Sequence, residues 1–521
     1  MGLDRLQGRK RIYTDAETIS RDNVIQVLRD SLVKHEINRA EIQFLLDYDK
    51  GQQPLVREKT IRPEINILSI ANIANEISEF KLGYVWGNPV ALVQRSDRIM
   101  NPDDKNDKES GISLLNDYFY AEEKDSKDAE LARYVEICGV GYQMIDLKRS
   151  REDGDSPFDL ITLNPLYTFV VYSSKVSHKP MMGVTYIIKE NYQRVYTCIT
   201  DDSVYIIDST YKVTNGIPVL GKEPKYLHAN RSGETNPIGE VYIVEFNRSS
   251  DRTGCFERQV DEMDALNVLE SDFVNDVAQN TQAIWWGNDI ELETDENGDV
   301  KGTQGGSWLI TKTAGNSNKP DIKNLTLEYD YAGVLQNINS KHDAILERAY
   351  VPNQSDPGGG STASAMSMSS GWSAAEQSAC KESLVLKSSF QRRNRIAIKA
   401  ANKTDESLNG ISANDIEIKF LRQKTFNLSE KVNSLATMIQ NHINPKVAME
   451  TVDLFSNLSE AIKDSVPQIE KYQQTMIESK SSASKTDSSQ TNNSVNPDVK
   501  RNQSDLSDQS GNSPILSGIT K

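Results

Sequence analysis

The order of elements between residues 255 and 403 constrains the fold more than any other feature. Residues 255–282 set Val260, Met263, Leu266, Leu269, Phe273 and Val277 three and four apart, the spacing of an amphipathic helix. A β-rich insertion fills 284–328, where Asn297-Gly298, within Asp295–Asp299, supplies the φ > 0 positions of a tight hairpin turn. Helix resumes at 331–349, a Pro/Gly/Ser loop occupies 351–364, and a long helix covers 372–403. Charge reverses across this unit. Helix 255–282 carries Glu257, Asp261, Glu262, Asp264, Glu270, Asp272 and Asp276 against Arg258, a net of −6. Helix 372–403 carries Lys381, Lys387, Arg392, Arg393, Arg395, Lys399 and Lys403 against Glu376 and Glu382, a net of +5. Either helix alone reads as a solvated face. Two helices flanking a β insertion, then a Gly-rich loop and a third long helix, form a less ordinary plan.

On the N-terminal side, apolar spacing predicts an amphipathic helix over 18–46, ended at Asp49-Lys50-Gly51. A second helix is expected over about 65–83, with Ile70, Ile73, Ile77 and Phe80 on one stripe and a stop at Gly83. Residues 101–111 read as a polar, charged loop, and 112–138 as a third helix. Short β-rich runs from 139 to 247, punctuated by Pro and Gly, predict an antiparallel sheet domain. After the long helix come a strand at 415–421 and helices within 428–478. The segment 479–521 is serine-rich and lacks aromatics, so it is expected to be disordered and dispensable for assembly.

Composition excludes several functional classes. Counting glycine and leaving out tyrosine, the apolar share moves from 37% to roughly 39%, below the ~45–50% of ordinary globular domains. Either part of the chain is unfolded, or an elongated fold completes its burial with partners. A net charge of −16 argues against gripping nucleic acid over a large surface. Cys138, Cys198, Cys255 and Cys380 lie far apart, predicting neither a disulfide framework nor a cysteine zinc site and fitting a reducing interior. The first residues, MGLDRLQGRKRIY, lack the apolar core of a secretory signal. Apolar runs stay far short of the ~20 residues that span a bilayer, so a soluble intracellular protein without a membrane partner is expected.

The search for chemistry returns little. Gly216-Ile217-Pro218-Val219-Leu220-Gly221-Lys222-Glu223 is one letter short of a phosphate-binding loop. It lacks the Mg²⁺-binding hydroxyl, and a proline removes one cradling N–H, so a β-turn loop is the plainer reading. Asp295–Asp299 has its glycine at the wrong position for a calcium loop. His35, His178, His228, His342 and His442 form no metal-ligand spacing. Gly358–Gly360 signals backbone freedom. No catalytic constellation emerges, and no metal or cofactor is expected.

At this point the sequence resembles the portal (head-to-tail connector) proteins of tailed bacteriophages, in the branch found in siphophages of Gram-positive hosts. Tyr48-Asp49-Lys50-Gly51 is similar to an early family turn, and Asn66 through Pro89 to a helix and its exit. Glu136 through Tyr142 resembles a "G.GY" strand entry, and Leu163 through Phe169 a "P..f.vy" segment. The most specific stretch, Val244–Asn247, Phe256 and Asp261 through Asp276, resembles the "D.yn…SD..nd" stem helix. Order persuades more than any single motif. The chain departs from the family in a shorter spacing across Val351–Ser361 and in the double Trp285-Trp286.

The resemblance implies an α+β, mainly helical, elongated subunit that assembles into a ring, usually a dodecamer. Its regions would be a wing (1–254), a first stem helix (255–283), a clip (284–328) and a second stem helix (329–350). A tunnel loop (351–364), a long helix returning to the wing (365–427), crown helices (428–478) and the tail (479–521) would follow. The ring would sit at one capsid vertex in the virion, formed in the host cytoplasm. It would nucleate procapsid assembly with the major capsid and scaffolding proteins, and dock the terminase large subunit and later a head-completion adaptor. Double-stranded DNA would pass through it without sequence-specific binding, and nothing would be hydrolysed. The DNA-facing candidates are Val351, Pro352, Asn353, Gln354, Ser355, Asp356, Pro357, Gly358, Gly359 and Gly360. The clip and terminase-docking candidates are Trp285, Trp286 and Trp308. Acidic Asp261, Glu262, Asp264, Glu270, Asp272 and Asp276 suit a tunnel wall, or a subunit interface facing the basic Arg392, Arg393, Arg395 and Lys399. A conduit must not hold its cargo, because each neutralised phosphate adds affinity. A dodecamer would carry roughly −190 formal charges. Another virion ring or head-tail adaptor, and a nucleotide-dependent enzyme working through 216–223, are the alternative readings.

Overall fold

The computed structural model describes residues 8–55, 65–95, 102–148, 151–226, 235–281, 284–291, 308–313, 319–325, 330–352, 371–422 and 428–452, save isolated positions, and scattered positions up to 475. Strand β1 (Ile12–Thr14) precedes helix α1 (Val24–Asp49). The helix starts later than its apolar spacing suggests. Asn23 donates through Nδ2 to the Thr18 carbonyl and accepts from the Ser20 amide, folding 18–23 into a turn. One end of α1 (Val24, Leu28, Leu32) enters an apolar core with the large sheet, and the other (Ile42, Leu45, Tyr48) a second core beneath the helices.

Helix α2 (Ile73–Trp86) is shorter at its start and longer at its end than expected. Residues 65–72 form neither helix nor strand, Asn72 takes a left-handed φ of +48°, Ile70 is exposed, and the helix passes through Gly83. Strand β2 (Ala91–Gln94) follows. The charged run at 101–111, expected as a loop, opens helix α3 (Pro102–Ala121). Proline suits a first helical turn, and aspartates there favour the positive end of the helix dipole. The single helix expected over 112–138 is broken at Glu123, whose φ is +52°. Glu122 causes the break: its carboxylate accepts from the Leu160 amide and pairs with Lys148 and Lys127, drawing the chain toward the sheet. Helix α4 (Lys124–Cys138) then runs to Gly139. There φ is +75°, and a Cβ would lie 2.4 Å from the Arg252 carbonyl, so the "G.GY" glycine is required sterically.

The β region is two sheets, not one antiparallel domain. Strands β3 (Val140–Leu147), β4 (Phe158–Leu163), β5 (Thr168–Ser173), β6 (Pro180–Ile188), β7 (Arg194–Thr200), β8 (Val204–Thr214), β9 (Ile217–Leu220), β10 (Lys225–Tyr226) and β11 (Ile243–Asn247) divide between them. The order β11-β3-β4 makes one sheet; β1-β5-β6-β7-β8-β10, with β9 on β8, makes the other. β1 joins β5 in parallel. The expected turn loop at 216–223 contains a strand, and the Gly221 amide donates to the Asp208 carbonyl, so a phosphate cradle is not formed there.

Helix α5 (Val260–Thr281), strands β12 (Ile284–Asn288), β13 (Trp308–Thr311) and β14 (Asp321–Leu325), and helix α6 (Tyr331–Arg348) follow. The expected turn at Asp295–Asp299 lies outside the described residues. Helix α7 (Trp372–Thr404) packs on β11 and β3; β15 (Ile416–Lys419) pairs with β2; α8 (Leu428–Gln440) and α9 (Pro445–Val452) come last. The fold is α+β with helix predominating. Among the described residues no helix is long and apolar enough to cross a membrane. The segment 479–521 lies outside them.

His35 gives the large-sheet core a pH dependence. It is buried, stacked 4.4 Å from the Phe169 ring and edge-on to Tyr186. Burial lowers its pKa to about 4, outweighing nearby Glu36. The folded chain therefore binds fewer protons there than the unfolded chain between pH 6.5 and 4. Stability is full above pH 6.5 and falls as pH drops toward 4, by about 3 kcal/mol. Denaturant titrations across this window should lose most of that slope in His35→Phe; an unchanged slope would refute the assignment.

Candidate functional site

Helices α5 and α6 pack antiparallel with the three-stranded sheet at their far end. Arg348 pairs with Glu262 at one end, and the Phe273 and Tyr331 rings meet edge-on at 6.1 Å toward the other. The sheet order is β13-β12-β14, with β12 parallel to β13 and antiparallel to β14. Asp289 (φ +52°) closes its rim: the carboxylate accepts from the Thr313 amide at 2.7 Å and the Lys319 amide at 2.9 Å. The Thr313 hydroxyl also donates to Asp289, and these bonds hold its pKa below the usual range. Trp285 faces Trp308 in register. Both Trp285 and Trp286 are half-buried, and Lys323 Nζ lies 5.7 Å from the Trp286 ring centre. Leu309, Ile310 and Ile322 on the two outer strands are exposed.

The near end is clamped. Glu257 accepts from the Gly8 amide, from Arg9 at 2.7 Å and from the Gly254 amide at 2.7 Å, tying the N-terminal arm to the start of α5. Half-buried Arg248 bridges Glu136 (2.9 Å) and Glu382 (3.4 Å), and Trp86 Nε1 donates to Glu136. Burial next to Glu136 pushes the Glu382 carboxyl well above the usual carboxylate range. Buried Lys81 donates to the Tyr350 carbonyl just beyond α6. Val351 and Pro352 are themselves buried within the chain, so the first two loop candidates form the loop's root. Asn353, Gln354, Ser355, Asp356, Pro357, Gly358, Gly359 and Gly360 lie outside the described residues.

The acidic candidates separate into kinds. Asp264 accepts from the Tyr48 hydroxyl at 2.8 Å, and burial raises its pKa. Glu270 accepts from Ser69 Oγ, and Asp261 is exposed. The basic candidates do not form one surface. Arg393 is fully buried, bonded to Asp128 at 2.6 Å and Gln143 at 3.1 Å; Arg392 donates to the Val241 carbonyl; Arg395 and Lys399 share Glu240. Within the chain Arg393 turns to α4 and β3, Arg392 to the loop before β11, and Arg395 and Lys399 stay exposed beside that loop.

Sequence reading missed a polar ladder. Asn267, Ser271 and Asn275, four apart on α5, are buried and bond alternate residues of the segment 65–72. Asn275 accepts from the Ile67 amide (2.9 Å) and donates to the Ile67 carbonyl (2.8 Å). Ser271 Oγ accepts from the Ser69 amide (3.0 Å), and Asn267 Oδ1 from the Ala71 amide (3.1 Å). These side chains replace a neighbouring strand, which is why 65–72 is not helical. The Asn-x₃-Ser-x₃-Asn spacing inside an amphipathic helix is the signal that could have found them.

A family model for phage portal proteins, SPP1 Gp6-like, matches residues 30–475. The chain belongs to that family. No curated protein matches it. Membership makes it a phage portal protein, of a structural family associated with the virion and genome packaging. The portal match takes in the helix–sheet–helix unit, the Arg248 bridge and the ladder, while Gly8 and Arg9, which hold Glu257, precede it. Among the described residues of this portal protein, no His, Cys, Asp or Glu cluster is arranged to hold a metal ion. Cys138, Cys198 and Cys255 are buried with their thiols pushed up by burial, which leaves them unreactive.

Proposed function

We propose that this chain forms the portal ring, a dodecamer at a unique capsid vertex through which double-stranded DNA is packaged and later ejected. In this reading α5 and α6 are the stem and the β12–β14 sheet is the clip, where Trp285, Trp286 and Trp308 anchor the docking of terminase. The N-terminal helices and two sheets are the wing, residues 428–478 the crown, and 351–364 the tunnel loop, with Asp356 as its single charge. The ring nucleates procapsid assembly in the host cytoplasm, with capsid and scaffolding proteins, and ends in the virion bound to a head-completion adaptor. It hydrolyses nothing.

The observation that carries this reading is the clamped helix–sheet–helix unit inside a family match covering residues 30–475. A rigid hairpin with a small sheet at its tip suits a tube wall with a projecting docking collar. The net charge of −16 supports a low-friction passage for DNA. Negative-stain imaging of the purified full chain is expected to show rings with a central hole, and ATP turnover to stay at background. Monomers without rings at every concentration, or ATP hydrolysis by the isolated protein, would overturn the reading.

A further inference from the structure

We propose that the exposed stripe of α5 and the exposed stripe of α7 are the two halves of the subunit contact, each docking on the other stripe of a second copy of this chain. The proposal rests on the ring reading above and names the surfaces that would close it. A ring of more than two copies needs a heterologous contact, so each subunit must present two different, complementary patches.

The structure offers such a pair. Asp261, Ala265, Val268, Asp272 and Asp276 fall four, three, four and four residues apart on one face of α5, the first three exposed and the two C-terminal aspartates half-buried. Val268 is 45% exposed amid these acids. On α7 the exposed residues Lys381, Leu384, Ser388, Gln391, Arg395 and Lys399 follow the same rhythm, and Leu384 is 69% exposed among the cations. At 1.5 Å per residue the charged spans match: ~22 Å from Asp261 to Asp276 and ~21 Å from Lys381 to Arg395.

Inside the chain, the exposed cations Arg395 and Lys399 share a single acid, Glu240, so the α7 stripe keeps a positive surplus. A large aliphatic side chain in the middle of each stripe supplies apolar area, while the flanking charges set register and exclude like pairs. Exposed Ile67, Leu68 and Ile70, held beside α5 by the ladder, add apolar surface next to that helix.

The test is assembly of the full chain, followed by light scattering across concentration at low salt, with circular dichroism as the folding check. Asp261→Lys with Asp276→Lys, and separately Lys381→Glu with Arg395→Glu, should each raise the concentration needed for rings by at least about tenfold. All four changes in one chain should bring it back toward the wild-type value, because the attraction is restored with its sign reversed. An internal defect from repelling Glu240 would not be rescued by changes on α5. Either reversal assembling like wild type, or the fourfold variant staying as poor as the pairs, would overturn the proposal. If the reversed chains lose helix signal, Leu384→Ser decides: a shift of similar size is expected, and no shift overturns it. A wild-type chain that never forms rings would defeat the ring reading instead, an outcome read before any variant is made.

Discussion

Arg393→Ala is expected to be the most damaging single substitution in α7, costing about 3–5 kcal/mol. The guanidinium is wholly buried, its carbon 4.5 Å from the Phe390 ring centre and 4.9 Å from that of Phe119. It donates to Asp128 on α4 and Gln143 on β3, so one side chain ties a helix to a sheet. Removing it opens a cavity and leaves the buried Asp128 carboxylate with Lys124 at 3.3 Å and the Gln143 amide at 3.0 Å, its guanidinium partner gone. Domains hold only about 5–15 kcal/mol of net stability, so much of the variant should partition to the insoluble fraction. Arg393→Lys should not rescue it, because an ammonium cannot lie flat beside two rings while its one terminal nitrogen reaches both Asp128 and Gln143. Arg393→Met combined with Asp128→Leu should lose less than Arg393→Met alone, since no buried carboxylate is then stranded and Lys124 keeps Asp125 at 3.2 Å. Urea titrations check this. An Arg393→Ala chain within 1 kcal/mol of wild type would refute the assigned role.

Arg393 also shows where sequence reading of α7 went astray. Counting charges grouped it with Arg392, Arg395 and Lys399 as one basic face. Its neighbours at three and four residues, Phe390, Ile396 and Ala397, are all buried, and that spacing already put it on the core side. Periodicity carried more information than charge. The same periodicity made α5, α6 and α7 legible to within a few residues, because their packing follows from stripes contained in each helix. What stayed hidden depends on partners far along the chain. The break at Glu122–Glu123 is set by Leu160 and Lys148, and the non-helical course of 65–72 by side chains some two hundred residues away. The charged start of α3 was misread for another reason: polarity was taken for a lack of structure, whereas Pro and Asp favour a helix start. The stretch Asp261 through Asp276 contains Ser271 and Asn275 among its acids, and only their four-residue spacing sets them apart.

The ladder makes the second prediction a double one. Asn267→Ala, Ser271→Ala and Asn275→Ala in one chain should leave α5 intact or strengthen it, since alanine has the higher helix propensity. The same change strips partners from the Ile67 amide and carbonyl and from the Ser69 and Ala71 amides. A buried backbone group left unbonded costs about 1–3 kcal/mol, so the segment should detach and let water satisfy it. Amides at 67, 69 and 71 should then exchange with solvent roughly 30-fold faster or more, the ratio that corresponds to about 2 kcal/mol. Protection in the middle of α5 should hold. Hydrogen exchange read by residue separates the two effects: if the segment stays protected, its own packing holds it and the ladder is incidental. If α5 and the segment lose protection together, the Asn-Ser-Asn face supports the helix itself. Only the split result fits side chains that serve as a substitute strand. Because Ile67, Leu68 and Ile70 are presented by that segment, the same variant should also weaken assembly while helix content is unchanged.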